Sequence, residues 1–192
     1  MTVLPQKTQH KLVVILGPTA SGKTSLAVKL ASEIEGEIIS ADSRQVYRGM
    51  DLGTGKDLTE YHVEGRFIPY HLIDILEPQE EFNLFQFQRC FVQCFQEISE
   101  RRKVAILVGG TGLYLESVIL NYRLNEVPEN LKMRTELAHL DMDDLVHHYL
   151  SMAGAMPHNK TDLTDRDRLI RAIEIAGHDG DDLDTAEQDV LR

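Results

Sequence analysis

Cysteine is scarce: Cys90 and Cys94 are the only two in 192 residues, and they stand four apart in a stretch with helical periodicity. Two thiols build neither a disulfide framework nor a four-ligand zinc site, and the expected compartment is a reducing cytoplasm. No apolar run approaches the roughly eighteen residues that a membrane span needs. The apolar stretch near the amino end runs into a glycine-rich turn instead of a small-residue cleavage site, so secretion and membrane insertion are not expected. No internal repeat is present. Positive charge is short toward the carboxyl end: of the net −11, residues 1–124 contribute −2 and residues 125–192 contribute −9. Such acidity repels polyanions at long range and excludes a broad, sequence-blind nucleic-acid binder. It leaves room for a partner that docks locally on the near-neutral part.

What remains is a composition in the globular range, 42% hydrophobic and 27% charged with 13 Gly and 6 Pro. The length suits one domain with a small appendage. Residues 11–16 form a continuous apolar run rich in β-branched residues, the pattern of a central parallel strand buried on both faces. Helical spacing follows over 24–35, a strand over 37–40, a strand over 70–76, an amphipathic helix over 84–98 and a strand over 104–108. This alternation predicts an α/β fold of three layers, α/β/α, with a parallel sheet whose ligands sit at the carboxyl ends of the strands. Beyond residue 124 strands cease and helices are expected over 129–139, 141–152 and 162–176. The expected organisation is thus a core domain over 1–124, a small helical segment over 125–176 and a frayed acidic tail over 177–192.

Gly17, Pro18, Thr19, Ala20, Ser21, Gly22, Lys23 and Thr24 match the P-loop pattern, after a strand and opening a helix as that motif requires. Its glycines let backbone amides close around a phosphate, and the helix N-terminus favours the anion. Lys23 supplies a point charge to phosphate oxygens, and Thr24 supplies a hydroxyl to a magnesium ion. The loop does not say which diphosphate or triphosphate it holds. Asp42 follows the second strand and falls at the same sheet edge, a candidate base or acceptor-orienting group; it could also cap the next turn. Ser43, Arg44 and Gln45 offer hydrogen bonds to a polar acceptor. The turn Gly109-Gly-Thr-Gly112 follows the last strand and brings amides and the Thr111 hydroxyl toward the site.

Other features are blander. Asn159-Lys-Thr-Asp162 spells the guanine-reading signature of GTPases, but no buried strand precedes it and the chain has no Asp-x-x-Gly. His147 and His148 are adjacent and diverge on a helix, so they cannot chelate as an i, i+4 pair would. Phe85, Phe87, Phe91 and Phe95 have the spacing of a buried helix face rather than of a base-stacking platform.

The P-loop with its internal Pro18 and Thr19, the run Ile39-Ser-Ala-Asp-Ser-Arg-Gln-Val-Tyr-Arg-Gly-Met-Asp-Leu-Gly-Thr54, His71-Leu-Ile-Asp74, Val108-Gly-Gly-Thr-Gly-Leu-Tyr114 and Asp167-Arg-Leu-Ile-Arg-Ala-Ile-Glu174 stand in the order seen in tRNA dimethylallyltransferases. Over residues 11–176 the chain resembles that family. The resemblance implies a P-loop NTPase-like fold whose loop holds a prenyl diphosphate and does not run on ATP hydrolysis. It implies transfer of a dimethylallyl group from dimethylallyl diphosphate to the exocyclic amine of an adenosine beside the tRNA anticodon, assisted by Mg2+, in the cytoplasm, by a monomer. By match, Ser21, Gly22, Lys23 and Thr24 grip the diphosphate and its metal, Asp42 takes the proton from the amine, and Thr111 orients the reacting groups. Arg166, Arg168 and Arg171 match a segment that contacts tRNA. Against the family the chain reads as shortened at its carboxyl end. Three alternatives stay open: a small-molecule or nucleotide kinase, a transferase acting on free adenine nucleotides, and an inactive remnant.

Overall fold

A computed structural model of the chain describes residues 11–110, 112–122, 124, 127–153 and 163–178. These fall into two compact units, divided between Tyr122 and Leu124.

In the first unit four parallel strands, β1 (Leu12–Leu16), β2 (Glu37–Ser40), β5 (Tyr70–His71) and β6 (Ala105–Gly109), form a sheet in the order β1-β6-β2-β5. Strand pleat divides their side chains between two faces. Ile38, Ile106 and Val108 point to α1 (Lys23–Ile34), where Ala27, Val28 and Ala31 meet them. Ile39, Ala105 and Leu107 point to the other face, against Phe87, Phe91, Phe95 and Ile98 of α2 (Leu84–Glu100) and Tyr114, Leu115 and Val118 of α3 (Gly112–Ile119). The result is the expected three-layer P-loop NTPase-like fold. Phe87, Phe91 and Ile98 are fully buried, and burying each such side chain stabilises the fold by about 1.5–3 kcal/mol. The phenylalanine row is core, and its fourth member, Phe85, lies at the margin under the guanidinium of Arg89.

Local signals explain the element ends. Asn83 and Gln86 close a reciprocal capping box at the start of α2. The chain leaves α1 through Glu35 in the left-handed region and then Gly36, where a Cβ would lie 2.9 Å from the Val104 carbonyl. At the amino end of the sheet Glu37, only 8% exposed, receives both arms of Arg101 at 2.9 and 2.8 Å and meets His71 Nε2 at 2.8 Å.

Two expectations need correction. The run 11–16 forms a strand, but among the described residues β1 stands at the end of the strand order and is half-buried, with Leu16 63% exposed, and the central strands are β6 and β2. Continuous apolarity reports burial of two faces and not the pairing of two edges. The stretch 70–76 is strand only at Tyr70–His71. Leu72 and Asp74 adopt positive φ, which breaks the strand, and a single parallel bridge from Leu76 to Tyr47 resumes contact. Composition had no signal for the 3-10 turn Leu58–Tyr61 or the short hairpin of β3 (His62–Val63) and β4 (Arg66–Phe67).

The second unit packs α4 (Leu131–Leu137), α5 (Met142–Ala153) and α6 (Arg166–Ala176) around Leu137, Leu145, Leu169 and Ile173. The helix expected from residue 162 starts at Arg166, because the Asp165 side chain accepts from the Arg168 amide as N-cap. Residues 154–162 and 179–192, with the Asn159–Asp162 signature and nearly all of the acidic tail, lie outside the described residues. His147 and His148 are exposed.

The hub of this unit is Glu174, whose side chain is fully buried. Its carboxylate accepts from Arg134 Nε at 2.8 Å, Arg171 at 3.0 Å and the Asn130 amide at 2.9 Å. The Arg134 guanidinium chiefly, helped by the Asn130 amide and Arg171, outweighs burial and holds this carboxyl at about 2. A depressed folded value means that the contribution is complete above the ordinary 4.5 and is lost as the pH falls toward 2. Glu174→Gln should therefore destabilise the helices by roughly 3 kcal/mol at neutral pH. In melts followed by circular dichroism at 222 nm, the gap in Tm between the two proteins should close as the pH is lowered through that window.

Candidate active site

The chain leaves β1 at Leu16 and turns at Gly17, where a Cβ would crowd Ser21 Oγ at 3.1 Å. Ala20 at φ 61° and Gly22 at φ 78° supply the left-handed steps that fold residues 17–24 back on themselves. For Ala20 that conformation costs on the order of 1 kcal/mol, a local strain of the kind that collects at ligand-binding loops. Gly22 caps α1 without any side-chain hydrogen bond. The first-turn amides of α1 keep the positive end of the helix dipole free for an anion. The Lys23 ammonium folds over the loop and donates to the Pro18 carbonyl.

The second wall comes from the end of β6. A Cβ on Gly110 would stand 3.7 Å from Lys23 Nζ, and one on Gly109 would lie 2.6 Å from the Ala41 carbonyl oxygen. The Ala41 amide donates to Val108 at 2.7 Å, which brings the residue after it, Asp42, to the same edge. Asp42 Oδ1 accepts from the amides of Arg44 at 2.8 Å and Gln45 at 3.3 Å. It is thus the cap of its own turn as well as a candidate base, and the turn fixes the carboxylate's direction. Beneath lies Tyr114, stacked on Phe87 at 4.2 Å. Burial, with the nearby Tyr47 and the Asp42 charge, pushes its phenol up to about 12, so it stays protonated at neutral pH.

These elements enclose a pocket of about 90 Å³ lined by Thr19, Ala20, Lys23, Thr24, Asp42 and Gln45, together with Ser40, Thr54, Gly55, Tyr61, Val108, Gly109 and Gly110. Six of the expected site residues therefore converge. Gly17, Pro18, Ser21 and Gly22 shape the loop without lining the pocket, and Ser43 and the exposed Arg44 stand on the turn outside it. Thr111 lies outside the described residues. Gln45 turns out to be a strut: its Oε1 accepts from Ser40 Oγ at 2.9 Å and its Nε2 donates to the Thr54 carbonyl at 3.2 Å. Thr54 and Gly55 arrive from a loop, and Tyr61 from the 3-10 turn, none of which the periodicity of the sequence points to.

In the helical unit Arg166 donates to the carbonyls of Leu137 and Ala138, and Arg171 donates to Val127 and Glu174. Both guanidiniums brace the unit. Arg168 is exposed on α6 and forms no ion pair among the described residues. No group of three His, Cys, Asp or Glu side chains converges among the described residues. The oxygen donors lining the pocket include the Thr24 hydroxyl and the Asp42 carboxylate. Such a set fits a hard divalent ion carried in on phosphate oxygens, because magnesium keeps most of its shell from water and substrate.

A P-loop on a parallel sheet, facing a carboxylate across a small polar pocket, defines a P-loop protein. A family model described as IPP transferase matches residues 45–190, and one described as isopentenyl transferase matches residues 10–68. The chain belongs to the IPP transferase family. It is 59% identical to tRNA dimethylallyltransferase 1 of Syntrophus aciditrophicus over 88% of its own length and 55% of that protein. With tRNA dimethylallyltransferase 1 of Geotalea daltonii it shares 58% identity, over 88% of its length and 53% of that protein. Among solved structures it is similar to the tRNA isopentenylpyrophosphate transferase of Bacillus halodurans, with a TM-score of 0.57 at 39% identity over 87% of this chain and 55% of that one. It is also similar to a eukaryotic dimethylallyltransferase described as acting on tRNA, with a TM-score of 0.69 at 29% identity over 86% of this chain and 41% of that one. The chain spans about half the length of the curated relatives it matches.

Lys23→Ala should lower the affinity for inorganic pyrophosphate by about 100-fold, the effect of removing a charge-assisted contact from a desolvated site. Isothermal titration checks this, and unchanged affinity would remove the phosphate assignment.

Proposed function

We propose that this chain transfers a dimethylallyl group from dimethylallyl diphosphate to the exocyclic amine of an adenosine next to the anticodon of tRNA. The observation that carries the reading is the placement of Asp42 across one pocket from Lys23 and Thr24, in a chain more than half identical to tRNA dimethylallyltransferases. Lys23 and the first-turn amides of α1 hold the diphosphate and stabilise charge on the departing pyrophosphate. The allylic carbon–oxygen bond breaks with its electron pair going to pyrophosphate, the amine nitrogen forms the new carbon–nitrogen bond, and the nitrogen's proton passes to the Asp42 carboxylate. The turn that fixes Asp42 Oδ1 aims this base before the acceptor arrives, and positioning of that kind is a large part of a substitution at carbon. Mg2+ bound with the diphosphate would neutralise part of its charge, and Thr24 is the residue to hold it.

An adenosine stacked in an anticodon loop must swing out to reach so small a pocket, at a cost of a few kcal/mol. We assign Thr111 to orienting the reacting groups, Ser43, Arg44 and Gln45 to the acceptor side, and the exposed Arg168 to tRNA. Arg166 and Arg171, each engaged with its own unit, present that helix and can add charge at its margin. In this reading residues 1–124 form the catalytic core, residues 125–176 the RNA-contacting segment and 177–192 an acidic tail. The work is placed in the cytoplasm and carried out by a monomer. No helix among the described residues is long and apolar enough to cross a membrane.

Incubation with magnesium, labelled dimethylallyl diphosphate, unmodified tRNA and free AMP tests the reading. Label should enter tRNA; label in AMP alone would move the acceptor to free nucleotides, and label in neither, with the diphosphate still bound, would overturn activity for this chain. Asp42→Asn should leave diphosphate affinity within about twofold and lower transfer by about 100-fold, the scale of a lost general base. Undiminished transfer by the variant would leave Asp42 as a turn cap alone.

A further inference from the structure

Residues 49–56 bring Thr54 and Gly55 into the pocket through turns, and no strand pairing holds that stretch among the described residues. Side chains hold it instead. Gln45 grips the Thr54 carbonyl, the Thr54 hydroxyl donates to the Met50 carbonyl at 2.7 Å, and Lys56 supplies the charged tie. The Lys56 side chain is 1% exposed. A lysine with no task extends its flexible stem and keeps its ammonium in water, because burying the charge costs several kcal/mol unless it is fully paired.

Here the pairing is complete. The ammonium has three donors, and it meets the Tyr47 carbonyl at 3.0 Å, the Asp51 carboxylate at 2.7 Å and the Asp74 carboxylate at 2.5 Å. Burial alone would lower the ammonium's pKa, but the hydrogen bonds it donates to Asp51 and Asp74 carry it above the ordinary value. The three acceptors sit at different places: Tyr47 where the loop begins, Asp51 on its exposed outer turn and Asp74 on a separate segment. Asp74 is itself fixed, since its amide donates to the Gln45 carbonyl at 3.0 Å. The Gln45 that receives this bond is the same residue that struts Ser40 to Thr54.

We propose that Lys56 is a positioning residue for the acceptor: it clamps the 49–56 loop to Asp74 and so holds Thr54 and Gly55 as the wall of the pocket away from the phosphate loop. It touches no phosphate-binding residue and does not line that pocket; it borders a neighbouring cavity of about 540 Å³ with Arg48, Gly49, Asp51, Leu58 and Asp74. The proposal rests on the acceptor reading above.

The test compares the full chain with Lys56→Met and Lys56→Arg, measuring the affinity for pyrophosphate with magnesium and, separately, for an anticodon stem-loop oligonucleotide and for AMP. Lys56→Met, which keeps the stem and drops the charge, should leave pyrophosphate affinity within about twofold and weaken the acceptor about tenfold or more. Lys56→Arg should recover most of the acceptor affinity, since the neighbouring cavity has room for a guanidinium. Equal acceptor affinity in Lys56→Met, or a parallel loss of pyrophosphate affinity, would overturn the proposal; the second result would make Lys56 a general staple of the fold. Should Lys56→Met fail to fold, Asp51→Asn decides: its carboxylate is 66% exposed, so its removal is tolerated, and it should weaken the acceptor alone by about threefold. No change there overturns the proposal. A wild-type chain that binds pyrophosphate but no adenine acceptor defeats the acceptor reading first, and this proposal with it, without any variant.

Discussion

A Cβ placed on Gly109 would lie 2.6 Å from the carbonyl oxygen of Ala41 and 2.8 Å from its Cβ, and the site depends on that approach. β6 sits between β1, which feeds the P-loop, and β2, which feeds Asp42. Only a residue without a side chain lets the end of β6 pass this close to the end of β2. Because the next glycine borders Lys23, one bare stretch of backbone touches the P-loop lysine on one flank and the strand end that leads to Asp42 on the other. The P-loop and the Asp42 turn are therefore registered through backbone packing, which is stiffer than a chain of side chains would be.

Among the described residues buried charge is used sparingly and in closed sets within each unit. Glu37 is answered by Arg101 and His71 at the amino end of the sheet, Lys56 by two carboxylates and a carbonyl beside the pocket, and Glu174 by two arginines and an amide in the helical unit. Each set joins residues from more than one segment of its unit. Buried ion sets of this kind add little net stability over apolar packing, but removing one member is costly, so they specify one arrangement of loops over its alternatives.

Much of this was legible in the residues. The P-loop, Asp42 and the glycine turn after β6 were readable because each follows a strand, and parallel strands send all their carboxyl ends to one edge. The expected helices were found to within a few residues, since apolar spacing and caps such as Asn83 and Asp165 are local signals. Edge against centre was not legible for β1, because apolar pattern records faces only. Nothing periodic places the loop 49–56 or Tyr61, although Gly49 to Thr54 belong to the run that carries the family resemblance; the loop is held by the side chains of Lys56 and Gln45. Gln45 was visible as a polar residue near the site but not as a strut, since its role depends on where Thr54 comes to rest.

β1 has one further property. It carries the P-loop and also ends the sheet, so its outer backbone donors and acceptors have no strand partner among the described residues. An edge of this sort is a template for strand addition by any other chain. A ligand that binds the P-loop favours the folded register of the same strand by mass action. Any ligand of the P-loop is thus also a ligand of the folded strand that stands at this edge.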